Sequence, residues 1–344
     1  MSDFLIIRLS SLGDIIHTLP AFSALRKYYP KAKIRWIVED KGLDILDCVP
    51  GIDQIVTAQT KRWSLASKDF WSELTRIKRE IKDRDQITLD FQGLVKSGLL
   101  AYLSRSRKRI GFHKSNLKES IASVFYTDQL DEVSEEIHVI SKNLKLLSLT
   151  GIQEDVYEFP LMIKESIQES TQNRLAALGY STSKKLVVLN IGAAWETKRW
   201  YGERWVDLIQ KLGRERSDLF PLLLWGTETE KTTALQIKEE TNVNMVSYLT
   251  IKEVMALVSK ADLLVSGDTF ALQVACALAR PVVGIFGPTN PKRNGPFRSS
   301  DRVAFHELEC SHCYKRKCQH LDCLNKITAE EVVELCQQSL GDNV

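Results

Sequence analysis

The sequence predicts an α/β protein built from two doubly wound parallel sheets, one in each half of the chain, facing across a cleft. Three observations carry that expectation. Short apolar or β-branched runs alternate with helical stretches through residues 4–104, and the alternation starts again at residue 186. Strands separated by helices imply parallel pairing with helices on both faces. A chain of 344 residues also exceeds what one core of ordinary size serves.

In the first half, FLIIRL (4–9), KIRWIVE (33–39), IDQIVTA (52–58) and QITLDF (86–91) read as strands, with helices at 15–29, 69–83 and 95–104. In the second half, LVVLNIG (186–192) precedes a helix near 201–213, and LFPLLLWG (219–226) precedes one at 228–240. ADLLVSG (261–267) leads into the small-residue stretch ALQVACALA, and PVVGIFG (281–287) follows. Residues 150–185 are polar and less regular and read as a linker ending near GYSTSKK. The expected domains are 1–165 and 166–344, the second carrying a cysteine-rich segment and a C-terminal helix. Ligands of such sheets bind beyond the carboxyl ends of the strands, so the loops that follow strands are the places to look for chemistry.

Composition narrows the class. Hydrophobic residues make up 44% and charged residues 26%, the proportions of a soluble globular protein. No apolar run reaches the roughly 18 residues of a membrane span. The opening MSDFLIIRLSSLGD has no basic leader or cleavage site and reads as a first strand, so a cytoplasmic protein is expected. The net charge is +3, but residues 1–150 hold 24 Lys and Arg against 19 Asp and Glu, and the remainder 23 against 25. This imbalance suits an anionic partner for the first half and is too small for a nucleic-acid binder. Seven cysteines are too few for a disulfide scaffold at this length.

Four constellations stand where chemistry is expected. The loop Ser10-Ser11-Leu12-Gly13-Asp14 follows the first strand and opens the first helix. Asp14 reads either as a helix cap or as an acid–base group, and the loop is not the GxGxxG fingerprint of dinucleotide folds. In the second half, Ser266-Gly267-Asp268-Thr269 ends a strand and begins a helix, whose free amides suit a diphosphate. Asp268, being acidic, is expected to orient backbone or a hydroxyl. Lys198 in AAWETKRWYGERW (193–205) and Glu228 in WGTETE also follow strands. The lysine could meet a phosphate and the glutamate a ribose, or both could be solvated turn residues. Residues 104–118, SRSRKRIGFHKSNLK, carry six Lys and Arg and no acid. With Lys61, Arg62 and Lys96 they could line an anion-binding surface, or form a solvated loop.

These segments together resemble glycosyltransferase family 9, the lipopolysaccharide heptosyltransferases. LIIRLSSLGDIIHTLPA, LDFQGLVKSGLL (89–100), ETKRWYGERW and DTFALQVACALARPVVGIFGPTNP occur in that family's order and spacing. DFQGLVKS and the KRW at 61–63 are most similar to the first heptosyltransferase. The resemblance implies a GT-B fold of two Rossmann-like domains and an inverting, metal-independent transfer from ADP-heptose to a lipid A–Kdo acceptor. The protein would work as a peripheral monomer on the cytosolic face of the inner membrane, without nucleic acid. It implies that Asp14 is the general base and that Lys198 and Thr269 meet the donor phosphates. Glu228, Asp268, Phe270 and Gln273 fall with the donor, and Ser10, Ser11, Gly13, Lys61, Arg62, Gln92, Lys96 and Lys118 with the acceptor. The family pattern has Gly and His where Phe270 and Gln273 stand, and an arginine where Lys118 stands.

The alternatives are a second-heptosyltransferase-like or other nucleotide-sugar transferase, a nucleotide-sugar epimerase on the same fold, and a non-catalytic binder. Cys310, Cys313, Cys318 and Cys323 follow C-x2-C-x4-C-x4-C. That spacing suits either a structural zinc with four thiolates or a set of reduced thiols, and no cofactor is expected to take part in catalysis.

Overall fold

The computed structural model describes residues 3–60, 63 and 68–341. The chain divides into two compact units, with the boundary between Met162 and Ile163. In the first unit, strands β1 (Phe4–Ile7), β2 (Ile34–Val38), β3 (Gln54–Thr57), β4 (Ile87–Asp90), β5 (Lys108–Gly111) and β6 (Asp128–Gln129) form one parallel sheet. Its helices are α1 (Leu12–Tyr28), α2 (Asp40–Leu46), α3 (Lys68–Ile81), α4 (Val95–Leu103) and α5 (Val139–Leu146). Every residue of β1 and β2 is buried, as expected for strands covered on both faces. Phe22 of α1 meets Trp36 of β2 with ring centroids 6.0 Å apart, and burying such a side chain contributes roughly 1.5–3 kcal/mol.

The second unit repeats the plan with β7 (Lys185–Asn190), β8 (Leu219–Leu224), β9 (Asn244–Met245), β10 (Leu263–Gly267), β11 (Val282–Ile285) and β12 (Arg302–Ala304). Its helices are α6 (Glu165–Ala177), α7 (Gly202–Glu215), α8 (Glu228–Thr241), α9 (Ile251–Lys260), α10 (Phe270–Ala277), α11 (Pro291–Asn294), α12 (Asp322–Asn325) and α13 (Ala329–Leu340). Strand order is β3-β2-β1-β4-β5-β6 in one sheet and β12-β11-β10-β7-β8-β9 in the other. Counted from its first strand, each sheet has the same doubly wound order, so the architecture is the two-Rossmann α/β fold of the GT-B class.

The order fixes where ligands can approach. The chain reverses direction across the sheet between β1 and β4, and again between β7 and β10. Loops leaving the carboxyl ends of those neighbours diverge and open a crevice. Asp14 lies on the loop–helix junction after β1, and Asp268 and Thr269 on the junction after β10.

Two expectations are corrected. The stretch read as an irregular linker contains α6, in which Thr171 and Leu175 are the buried residues; so little apolar patterning hides a helix from periodicity. The basic segment 104–118 is not simply a loop, because β5 runs through it. Lys108 donates to the Leu149 carbonyl at 2.6 Å and Arg109 to Phe125 at 2.8 Å, so two of its six cations serve the fold. Among the described residues no helix is long and apolar enough to cross a membrane.

Candidate active site

Ser11 is the N-cap of α1, in extended conformation, and Asp14 sits in the helix's first turn. One carboxylate oxygen, Oδ2, accepts from the Ser11 amide at 3.0 Å and the Ser11 hydroxyl at 2.9 Å. The other, Oδ1, pairs with Arg8 Nη2 at 2.8 Å. The cap is therefore present, and it leaves the carboxylate 36% exposed. Burial works to raise the Asp14 pKa, but the Arg8 guanidinium, His17 and the two Ser11 donors outweigh it and hold the group below the usual aspartate value. A helix N-terminus favours the same charged form. Arg8, which the sequence reading passed over, has 8% of its side chain exposed and also donates to the Phe91 carbonyl beyond β4. A charged residue ending an otherwise apolar strand was its only signal.

The loop that precedes Asp14 is held from β4. Gln92 Oε1 accepts from the Leu9 and Ser10 amides at 2.9 and 3.0 Å. The Gln92 amide donates to Asp90 Oδ1 at 2.8 Å, and Tyr126 donates to Asp90 Oδ2 at 2.8 Å. Burial raises the Asp90 pKa despite these donors. Gln92 thus positions the Ser10-Ser11 backbone with its carbonyl oxygen.

Lys96, at the start of α4, donates to Thr60 Oγ1 at 2.6 Å and to Glu39 Oε1 at 3.1 Å. Thr60 donates to the same glutamate oxygen, so Glu39 neutralises this lysine inside unit one. Ser10 is half-buried, Ser11 exposed, and Gly13 the second residue of α1. Lys118 is exposed. Lys61 and Arg62 lie outside the described residues.

In the second unit the switch point is built from neighbouring strand ends. Asn190 of β7 lies in register with Ser266 of β10. Its side-chain amide donates to Ser266 Oγ at 2.9 Å and Thr269 Oγ1 at 3.0 Å. Thr269 caps α10, its hydroxyl accepting from the Leu272 amide at 3.4 Å, a use of threonine worth about 1 kcal/mol. Lys198 donates to Asp268 Oδ2 at 2.6 Å, with the two side chains 15% and 10% exposed, and its ammonium lies 4.3 Å from the Trp195 ring centroid. Gly267 permits this approach, since a Cβ there would fall 2.9 Å from the Lys198 carbonyl oxygen.

The other donor-side residues are spread more widely. Phe270 is the half-buried first residue of α10. Gln273 is buried and donates to the Asn294 carbonyl at 2.8 Å, tying α10 to α11. Glu228 begins α8 with 84% of its side chain exposed, beside Lys231 at 3.4 Å. The neighbouring Glu230 is the buried one, at 7%. Its carboxylate accepts from Ala193, Gly226 and Thr227 amides at 2.8–3.0 Å, joining the loops after β7 and β8. The capping-box spacing from Thr227 to Glu230 was the sequence signal for it.

The four clustered cysteines are free thiols; Cys310 and Cys318 are exposed, and Cys313 and Cys323 half-buried. Among the described residues no three His, Cys, Asp or Glu side chains gather as a metal-ligand set.

The lipopolysaccharide heptosyltransferase 1 of Campylobacter coli is 26% identical over 98% of this chain and 98% of its own length. The enzyme of the same name from Pseudomonas aeruginosa is 26% identical over 92% of this chain and 87% of its own. A solved structure of E. coli heptosyltransferase WaaC with ADP superposes with a TM-score of 0.78 at 22% identity, covering 98% of this chain and 99% of that one. The family model for glycosyltransferase family 9 (heptosyltransferase) matches residues 74–323. The chain belongs to that family and is a glycosyltransferase.

Proposed function

We propose that this enzyme transfers a heptose from ADP-heptose to a Kdo-bearing inner-core lipopolysaccharide acceptor, with inversion and without a metal ion. The observation that carries the reading is Asp14, a half-exposed carboxylate held ionised at a strand-to-helix junction by Arg8. Asp14 takes the proton from the acceptor hydroxyl as that oxygen attacks the anomeric carbon. A single displacement opposite the leaving group inverts the configuration. Lys198 and the amides at the start of α10 take up the charge that develops on the departing diphosphate. A cation and a helix N-terminus meet that charge without a Lewis acid. Asp268, which neutralises Lys198 in the free enzyme, gives way to the donor phosphates.

Lys61, Arg62 and Lys118 suit an acceptor rich in carboxylates and phosphates, and Lys96 joins them when the acceptor displaces it from Glu39. Exposed Tyr102, Ile121 and Val124 lie along the chain with exposed Arg105, Lys114 and Lys118. That combination supports peripheral contact with the cytosolic face of an anionic membrane; co-sedimentation with anionic but not neutral vesicles checks it.

The test of the donor is which nucleotide stabilises the purified protein. ADP at a hundred times its Kd should add about 2.7 kcal/mol and raise the melting temperature. Stabilisation by GDP or UDP but not ADP overturns the ADP-heptose assignment.

A further inference from the structure

Residues 314–316 of the cysteine-rich segment cross the ligand side of the second sheet. The Tyr314 amide donates to the Pro288 carbonyl at 3.0 Å, on the loop after β11. Thr197, a residue 2% exposed, donates its hydroxyl to the Lys315 carbonyl at 2.7 Å, on the loop after β7. Those loops flank the end of β10, where Asp268 and Thr269 lie. The segment is therefore fixed at both sides of the switch point. Arg316 follows at once, and its guanidinium carbon lies 5.0 Å from the centroid of the Trp195 ring. The same indole carries the Lys198 ammonium at 4.3 Å, so one half-buried aromatic side chain lies against two cations.

We infer that Arg316 is a second donor-binding cation, whose guanidinium engages the diphosphate of the nucleotide sugar together with Lys198. The inference rests on the donor reading above. Arginine suits the task because its planar fork can stack on an indole and still present several N–H donors to phosphate oxygens. Lys198 differs in being committed to Asp268 in a largely buried pair, whereas Arg316 is exposed and meets an incoming phosphate from the solvent side. The cysteine-rich segment then acts as a strap that delivers this residue.

Calorimetric titration of ADP and of adenosine into wild type, Arg316→Ala and Arg316→Lys tests the assignment. Arg316→Ala should weaken ADP binding about tenfold, the worth of a charge-assisted hydrogen bond, and leave adenosine binding unchanged. Arg316→Lys should restore part of the loss. ADP binding by Arg316→Ala within twofold of wild type overturns the assignment. Equal losses for ADP and adenosine also overturn it, because they mark a disturbed loop. Wild-type protein that binds adenosine but gains nothing from the diphosphate overturns the donor reading itself.

Discussion

Arg8 and Asp14 form an ion pair of 2.8 Å across the junction of β1 and α1, with the arginine buried and the aspartate half-exposed. The two residues are placed by different rules. Arg8 leaves the end of a buried strand and is anchored on the Phe91 carbonyl, and Asp14 is set by the first turn of the helix. The pair keeps the carboxylate charged in the neutral range, the state that the proposed general base requires.

Removing the arginine should move the acid limb of the activity profile. The folded-state pKa of Asp14 is depressed, so the base is protonated only below the ordinary carboxylate range. Arg8→Gln should shift the acid limb of kcat/KM to higher pH, measured as a pH–rate profile against wild type. The same linkage gives stability that is present above the unfolded aspartate pKa of about 3.9 and lost as pH falls through the folded value. An acid limb that stays in place would separate Arg8 from the base.

Gln92 acts on the same loop through backbone. Gln92→Ala leaves the Leu9 and Ser10 amides without their acceptor, a loss of about 1–3 kcal/mol for a buried donor. The expected result is a lower melting temperature and a reduced kcat, with the KM for donor unchanged. A changed donor KM would assign Gln92 elsewhere.

Lys198→Ala should reduce kcat/KM for the nucleotide sugar by about 10²–10³ and leave the acceptor KM alone. It also strands Asp268, and breaking a buried pair costs about 3–5 kcal/mol. The double variant Lys198→Ala/Asp268→Asn should recover the melting temperature but not the activity. Recovery of both would make the pair purely structural.

Chelation should leave turnover unchanged, because in the proposed mechanism a lysine and helix amides meet the diphosphate charge. The cysteine spacing raises a separate question of structure. Four thiolates holding zinc would appear as about one equivalent per chain in metal analysis of protein purified without added zinc. Near-zero stoichiometry would remove that expectation.

Much of the frame was legible in the residues. β1, β2, β7 and β10 are mostly apolar and almost wholly buried, and alternation with helices is enough to make their pairing parallel. The pattern failed where burial is thin. β6 and β9 are two residues long, and α6 buries little. The candidate residues Asp14, Lys198 and Thr269 were legible as loop positions, and the structure places them after strands at the two switch points. Partners were not legible, because pairing is a property of the folded register. Asn190 finds Ser266 only when β7 lies beside β10, and Arg316 finds Trp195 across 121 residues of chain. Glu228 illustrates the limit of local reading: two positions separate it from the buried Glu230, and helix phase decides which one faces the loops.

The central claim is tested most directly by measuring heptose transfer from ADP-heptose to a Kdo-bearing acceptor, with wild type and Asp14→Asn side by side. Asparagine can still accept from the Ser11 amide, so the variant should keep its cap and its fold, shown by an unchanged circular-dichroism spectrum, with a melting temperature lowered only by the loss of the Arg8 pair. The wild type should transfer the sugar, and Asp14→Asn should lose about 10²–10⁴ in turnover, the worth of a positioned base. Near-wild-type turnover by Asp14→Asn would contradict the account.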